Sequence, residues 1–550
     1  NDLTWLSGKH AITIGTHNEF FKFRNLFIRD NFGQYGFDNL DLFEQGLAQS
    51  YDYSFSLTGD PQQSARFRVR QYGFYAGDQW RPTSSFTLTL GVRLDMPTFP
   101  DKPTRNPLTE NTVNYRTDEV PGGTLWSPRA GFNYSIGDRG TDQVRGGLGL
   151  FSGRTPYVWL SNQYGNTGIE FRRISVSRGT GTQRIPFVTD VTAQPTSIGA
   201  AATNEIDVID PDYKYPSLIR TNLAYDRELG VGGLVGTAEF LYSKNVHDIR
   251  YENVNLQQTG TRPDGRPVFS RNRVAGISDL ILLTNTDQGD AWSMTFKIER
   301  PFRNRFFMNA AYLYGRSRSI MDGTSSQAAS NWGNVYVPGD PNHPPLARSN
   351  FDPGHRITAS GSYDIPIGAG FSATASLFYS GQSGRPWSVL YATDYNGDIR
   401  GTNDLLFIPA SAAGYTFTNG TFDDLMTFVN AEKCLSDYIG QIHERNACRS
   451  PWMNTLDGRL NIGLPFRRVK AEITLDVLNM INLFDNQKGL IKYANFNDLL
   501  VVRPAFSGSD VTYNLSNIVV NGVAQTPEQQ FTRFDLASRW QMQLGGRIRF

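Results

Sequence analysis

The sequence predicts an all-β fold, a transmembrane antiparallel β-barrel with long extracellular loops. Three observations carry that prediction. Apolar residues alternate with small, polar or charged ones in segment after segment, from one end of the chain to the other. The joints between those segments alternate between short and long. The composition combines 36 Phe, 25 Tyr and 53 Gly with a mean hydropathy of -0.41. That balance suits strands with one wet face, and no run of about 18 apolar residues is present to serve as a spanning helix.

The alternation begins with a stub at Leu3 to Leu6. Further on, Phe86, Leu88, Leu90, Val92 and Leu94 point one way while Thr87, Thr89, Gly91, Arg93 and Asp95 point the other. Trp292, Met294, Phe296 and Ile298 alternate with Ser293, Thr295, Lys297 and Glu299. Val469, Ala471, Ile473, Leu475 and Val477 alternate with Lys470, Glu472, Thr474 and Asp476. At the chain end Trp540, Met542, Leu544, Ile548 and Phe550 share one face, opposite Gln541, Gln543, Arg547 and Arg549.

Short turns fall at Ser7 to Lys9, Arg81 to Ser85, Gly137 to Gln143, Gly230 to Gly233, Pro301 to Arg305, Ile367 to Gly370 and Pro465 to Arg468. Long polar segments lie near 25–65, 97–124, 154–217, 246–279, 320–352, 388–451 and 485–532. A soluble sandwich or propeller would also alternate, but it would carry loops of similar length at both ends. One strand on each side of every turn gives about 15 strands. Bacterial single-chain barrels have an even number, so the remaining part of the sheet is expected upstream of Asn1, and residues 1–550 are read as the C-terminal portion of a larger barrel. The opening NDLTWLSGKH has neither a basic nor an apolar leader region, in keeping with that expectation.

Orientation follows from the chain end. Phe550 closes the last strand at the periplasmic side, which makes the short turns periplasmic and the long loops extracellular. The apolar face then meets outer-membrane lipid, while Arg93, Asp95, Lys297, Glu299, Lys470, Glu472 and Asp476 face the lumen. Trp80, Trp126, Trp292, Trp452 and Trp540, near strand ends, suit the aromatic girdles of a membrane barrel. A net charge of +1 argues against a nucleic-acid partner.

Several stretches resemble the Oar-like class of TonB-dependent receptors. They are GFYAGDQWRPTSSFTLTLGVRLD at 73–95, FDPGHRITASGSYDIPIG at 351–368, TNDLLFIP at 402–409, CLSDYIGQIHERNACRSPWMNTLDGRL at 434–460 and AEITLDVLNMINLFDNQKG at 471–489. Full-length members of that class carry a carboxypeptidase-regulatory-like domain, a plug and a barrel of 22 strands. The resemblance implies that about seven strands, the plug and the TonB box lie upstream. It also implies energised import: an extracellular substrate binds the loops, the TonB–ExbB–ExbD complex pulls on the plug, and a path opens. Trp540 and Phe550 would belong to the C-terminal signal read by the barrel-assembly machinery.

The segment DYNGDIRGTND places Asp394, Asn396, Asp398 and Asp404 at a spacing reminiscent of calcium loops. It departs from the EF-hand at Ile399, where the sharp-turn glycine belongs, and at Leu405, where the bidentate Glu belongs. A structural calcium and an Asx-rich surface turn are the two readings; no other cofactor is expected. Cys434 and Cys448 share one extracellular loop in an oxidising location, which predicts a disulfide. The histidines form no zinc motif, no nucleophile elbow is present, and GLGLFSG at 147–153 lacks the Lys-Ser/Thr of a phosphate loop. Catalysis is not expected. Trp159, Trp332 and Trp387, in or beside long loops, are the candidates for stacking on a substrate. The leading expectation is a transporter for a scarce or large nutrient, with a passive porin-like channel or an adhesive surface protein as alternatives.

Overall fold

The computed structural model describes the chain except residues 138–140, 154–155, 177–183, 199–203, 467–468 and 509. Parts of the turns expected at 137–143 and 465–468, and of the long segment 154–217, lie outside the described residues.

Fifteen strands succeed one another in a single antiparallel wall. They are β1 (Asp2–Ser7), β2 (His10–Thr16, continued by Glu19–Asn25), β3 (Ala65–Trp80), β4 (Phe86–Thr98), β5 (Leu125–Ile136), β6 (Asp142–Ser152), β7 (Ser217–Glu228) and β8 (Val235–Asn253). The wall continues with β9 (Asp290–Arg303), β10 (Phe306–Ser319), β11 (Gly354–Ile365), β12 (Ser372–Gln382), β13 (Met453–Leu464), β14 (Lys470–Leu478) and β15 (Gln541–Arg549). Each pairs with its neighbours in sequence, from Asp2↔Gly15 at one end to Lys470↔Arg549 at the other. The strand count and the alternation of short turns with long loops match the expectation from sequence.

The pairing register explains which side chains share a face. Leu90 lies opposite Asp78 and Ala130, and Met294 lies opposite Phe240 and Tyr314. These outward positions keep a large apolar surface uncovered: Leu90 is 48% exposed, Phe296 47% and Leu544 75%. A monomer leaves so much apolar area bare only where another apolar phase covers it. Trp80, Trp126, Trp452 and Trp540 are exposed near strand ends, and Trp292 packs edge-on against Tyr314 at 5.4 Å.

The opposite face carries charge that is paired across strands and along them. Arg145 donates to Asp226 at 3.0 Å and to Glu239 at 3.1 Å, Lys297 donates to Glu299 at 2.8 Å, and Arg93 donates to Asp95 at 2.7 Å. Glycine on β6 serves close packing: a Cβ on Gly146 would sit 2.9 Å from both the Asn222 carbonyl oxygen and the Phe132 ring.

The buried core is in the loops. The wall's apolar residues face outward, so the two largest buried apolar clusters are built by the long segments above it. One gathers Tyr157, Leu160, Tyr213, Tyr251, Leu283 and Trp332, and the other gathers Trp387, Tyr391, Tyr395, Phe428, Leu435 and Tyr513. Strands from different loops hold this cap together. Ser388–Tyr391 runs parallel to Asp498–Val502, and Asn204–Ile209 runs parallel to Ile277–Leu283 beside the top of β8.

Candidate functional site

The cap leaves a cavity of about 680 Å³ lined by Tyr336, Phe351, Arg385, Phe496, Asn497 and Asp498 together with Thr and Asn side chains. Three loops build it. Tyr336 follows the short helix Ala328–Gly333, Phe351 stands just before β11, and Phe496 to Asp498 lead into the strand Asp498–Ser507. The Tyr336 hydroxyl donates to the Asp498 carboxylate and to the Phe496 carbonyl oxygen, both at 2.6 Å, and so ties the loops at the cavity wall. Burial raises the Asp498 carboxyl above its ordinary range, opposed by this hydrogen bond.

Two phenylalanines at this cavity are left uncovered: Phe351 is 67% exposed and Phe496 is 83% exposed. Phe496 also has φ +54°, and Asn497 follows it at φ +65°. A bulky residue rarely adopts the left-handed region, at a cost of order 1–3 kcal/mol, and such strain collects at ligand sites. Arg385 supplies a cation, stacked 5.5 Å from the Tyr493 ring. The arrangement offers apolar ring surface, amides and one cation to a ligand. It contains no nucleophile–base pair.

The three candidate tryptophans are placed elsewhere. Trp332 and Trp387 are 0% exposed, each in the interior of one of the two main clusters, and they have no surface to offer a ligand. Trp332 donates its ring N–H to Asn342 at 3.0 Å, and Trp387 packs edge-on against Phe531. Trp159 is half-buried and donates to the Ser325 carbonyl oxygen at 2.7 Å. The apolar demand of a folded cap claims these rings, and the exposed aromatics at the cavity are Phe351 and Phe496, which no spacing rule marks.

Cys434 and Cys448 form the expected disulfide, with Cα atoms 5.3 Å apart. It closes a loop whose entry helix, Phe422–Asn430, starts with a capping box between Thr421 and Asp424. His443 lies fully buried in that loop, its Nε2 3.8 Å from the Cys448 sulfur. Burial pushes its imidazole down to about 4, opposed by a backbone hydrogen bond to Cys434.

The acidic segment 394–404 is folded inward. Asn396, Asp398 and Asn403 are 0% exposed and Asp404 is 1% exposed. Asp394 serves the backbone, accepting from the Gly397 amide at 2.7 Å and the Ile399 amide at 2.8 Å. Ile399 takes φ +67°, the bend a glycine makes at that position of an EF-hand loop. Gly397 has no room for a side chain, because a Cβ would meet the Phe269 carbonyl oxygen at 2.5 Å. Burial pushes the Asp398 carboxyl up to about 6 and the Asp404 carboxyl up to about 8, each reinforced by neighbouring carboxylates.

A second concavity, about 770 Å³, lies away from the cap on the wall's outward face. Ile12, Ile14, Ala76, Leu90, Ala130 and Leu148 line it, and it offers almost no polar surface. It is a groove between lipid-facing side chains, not a second reactive site.

With wall, cap and cavity described, the family can be stated. Residues 1–488 match the family described as outer membrane beta barrel domain. The chain belongs to that family. It is therefore a protein of the bacterial outer membrane, and its long loops are extracellular by the rule that such barrels keep their turns short on the periplasmic side. Its apolar face meets lipid, and the domain is a membrane wall, not an enzyme.

The fold is similar to that of the outer membrane transporter YddB from Escherichia coli (12% identity, TM-score 0.46, covering 99% of this chain and 52% of that one). It is similar also to the siderophore receptor PirA from Acinetobacter baumannii (12%, 0.42, covering 88% and 49%). A third is a mutant of the ferric enterobactin receptor PfeA from Pseudomonas aeruginosa (10%, 0.44, covering 100% and 52%). The chain spans about half the length of these solved structures. No curated protein matches the chain.

Proposed function

We propose that this outer-membrane barrel domain is the C-terminal wall and extracellular cap of a TonB-dependent transporter. The observation that carries the reading is the cap itself: long loops folded into a solid structure with its own cores, around a cavity of about 680 Å³ that presents Phe351 and Phe496 uncovered. A passive pore has no use for such a cap, whereas a receptor needs preformed surface to select a scarce ligand before import.

The proposal includes the parts a wall alone cannot supply. β1 pairs with β2 and β15 pairs with β14, and among the described residues β1 and β15 are not paired with each other, which leaves the sheet two edges that lipid cannot satisfy. Further strands upstream would pair them, and a plug upstream would connect the lumen to TonB–ExbB–ExbD. The motifs at 351–368, 402–409 and 434–460 support the Oar-like class. Trp540 and the fully exposed Phe550 are available for the barrel-assembly machinery. The nutrient would be captured at the cavity, with Phe351 and Phe496 replacing the buried tryptophans as the stacking surface.

The test is growth or uptake on the nutrient that induces the gene, in cells with and without TonB. Uptake should fall to background without TonB while cell-surface binding persists. Uptake that continues unchanged would mean a passive pore, and surface binding with no uptake in either strain would mean an adhesin. Phe496→Ala should weaken capture while leaving the amount of receptor in the membrane unchanged.

A further inference from the structure

The buried polar node of the 394–404 segment is unfinished as it stands. Asp398 Oδ2 accepts from the Asn403 amide at 2.8 Å and from the Asn396 amide at 3.4 Å, and Asp404 Oδ2 accepts from the Tyr395 backbone N–H at 2.9 Å. Asp404 Oδ1 and Asn403 Oδ1 have no hydrogen-bond partner, although both residues are at least 99% buried. The Asn403 amide faces Asp398 with its nitrogen, and its unpartnered oxygen is the other atom of the same group. A buried carboxylate is ordinarily neutralised by a paired cation or a metal. The Arg266 guanidinium acts on Asp404 through space, yet its N–H groups go to Asp264, to the Leu405 carbonyl oxygen and to the Tyr391 hydroxyl. Neither Asp398 nor Asp404 forms an ion pair among the described residues.

We propose that Asp398 and Asp404, with the side-chain oxygens of Asn396 and Asn403, bind a calcium ion. The donor set decides the class of metal. It consists of two carboxylates and two amides with no sulfur or imidazole, the hard oxygen environment that calcium takes and zinc does not. Among the described residues no group of three or more His, Cys, Asp or Glu side chains gathers to hold a metal. Amide and backbone oxygens must therefore complete the shell, which calcium's flexible coordination of six to eight oxygens accepts and magnesium's strict octahedron resists. Asn403 meets the ion by a half-turn of its amide, exchanging a nitrogen for the oxygen that now lacks a partner. Backbone amides shape the loop around these oxygens: Asp394 accepts from Gly397 and Ile399, Asn396 Oδ1 from Asp398 at 2.9 Å and Asp398 Oδ1 from Arg400 at 2.7 Å.

The site joins three extracellular loops. The Asn396 carbonyl oxygen accepts from Phe269, its amide donates to the Gly339 carbonyl oxygen, and the Asn403 and Asp404 carbonyl oxygens accept from Val337 and Tyr391. An ion here would fasten the loops after β8, β10 and β12 next to Tyr336 and the cavity. The inference rests on this geometry alone and holds whatever the protein transports and however transport is driven.

The experiment uses the full-length protein in detergent, stripped with a calcium chelator and titrated with CaCl2 or MgCl2. Binding is followed by calorimetry, and cap protection by the rate of limited proteolysis. Calcium should bind with a Kd of about 10⁻⁴–10⁻³ M, the range of extracellular modules, and slow cleavage of the cap, with magnesium at least about tenfold weaker. Asp398→Asn/Asp404→Asn keeps the side-chain shapes, removes two buried charges and so should stay folded; it should lose calcium affinity by about tenfold or more. Asp437→Asn, on the cap surface, should change nothing. The proposal is overturned if the wild-type protein binds no calcium up to about 10 mM, if magnesium binds equally well, or if the double variant keeps wild-type affinity. Should the double variant fail to fold, the wild-type titrations alone decide between support and refutation.

Discussion

Removing the Cys434–Cys448 disulfide separates the stability of the cap from that of the wall. The bridge spans a sequence separation of 14 and closes a loop next to the buried cluster of Trp387, Phe428 and Leu435. In the chain-entropy treatment a closed loop of about 15 residues restricts the open state by roughly 3 kcal/mol. Cys448 is itself 1% exposed, so Cys→Ser would add a buried hydroxyl; Cys434→Ala/Cys448→Ala isolates the cross-link. Where opening and reclosing outpace cleavage, proteolysis tracks the open population, and about 3 kcal/mol corresponds to a rise of about 10²-fold in the cleavage rate of this loop. The assay is limited proteolysis of the detergent-solubilised protein, with fragments mapped by mass spectrometry. Sites between 434 and 448 should accelerate, while strands such as β9 and β10, held by an unbroken ladder from Asp290↔Arg318 to Glu299↔Asn309, should not. A cleavage rate within about threefold of wild type would refute the reasoning, because packing against the cluster would then hold the loop without the cross-link.

Other perturbations follow from the same structure. His443 titrates at about 4 in the folded cap against an ordinary value of 6.5, so the unfolded loop binds more protons between those values. The His443 contribution to cap stability is therefore full above about pH 6.5 and falls as pH drops toward 4, by about 3 kcal/mol in all, while the raised carboxyls of Asp398 and Asp404 act in the opposite sense; pH-dependent proteolysis of wild type against His443→Gln isolates the decline, which the variant should lack. Trp332→Ala should destabilise the cap by about 3–5 kcal/mol, seen as faster hydrogen exchange in Ile277–Thr286 and the other segments of its cluster, with no effect specific to ligand. Leu90→Arg, on the lipid face, should cost about 2–4 kcal/mol in refolding into lipid vesicles, whereas Thr89→Arg, one residue away and facing the lumen, should cost little.

The contrast between Leu90 and Thr89 shows why the wall was legible in the sequence. A period of two and the length of each joint are local quantities, and outer-membrane strands pair with their neighbours in sequence, so local signals suffice. The cap follows different rules. Ser388–Tyr391 lies beside Asp498–Val502, with the whole of β13 and β14 between them in the chain, and this pairing is parallel. Ile277–Thr286 is buried almost throughout, and its apolar run LILL carries no alternation to mark it as a strand. The loop tryptophans sit in long polar segments, and polar composition marks such segments as surface. The segments contain cores, and cores take the largest rings first.

That inversion gives the exposed aromatics their meaning. In a soluble protein an uncovered phenylalanine is ordinary, and in this wall it is required by lipid. The cap stands above the membrane and buries Trp332, Trp387, Tyr391 and Tyr513 completely, so lipid does not account for the rings it leaves bare. The Phe496 backbone is turned into the left-handed region and its ring stands 83% exposed beside the Tyr336–Asp498 hydrogen bond. Relaxing φ at Phe496 would relieve strain, and burying its ring would gain about 1.5–3 kcal/mol. A fold selected for cap stability alone would have taken both. The arrangement is the one expected where ring surface is held open for something that arrives from outside, which is why Phe496→Ala should spare the cap's stability and weaken capture.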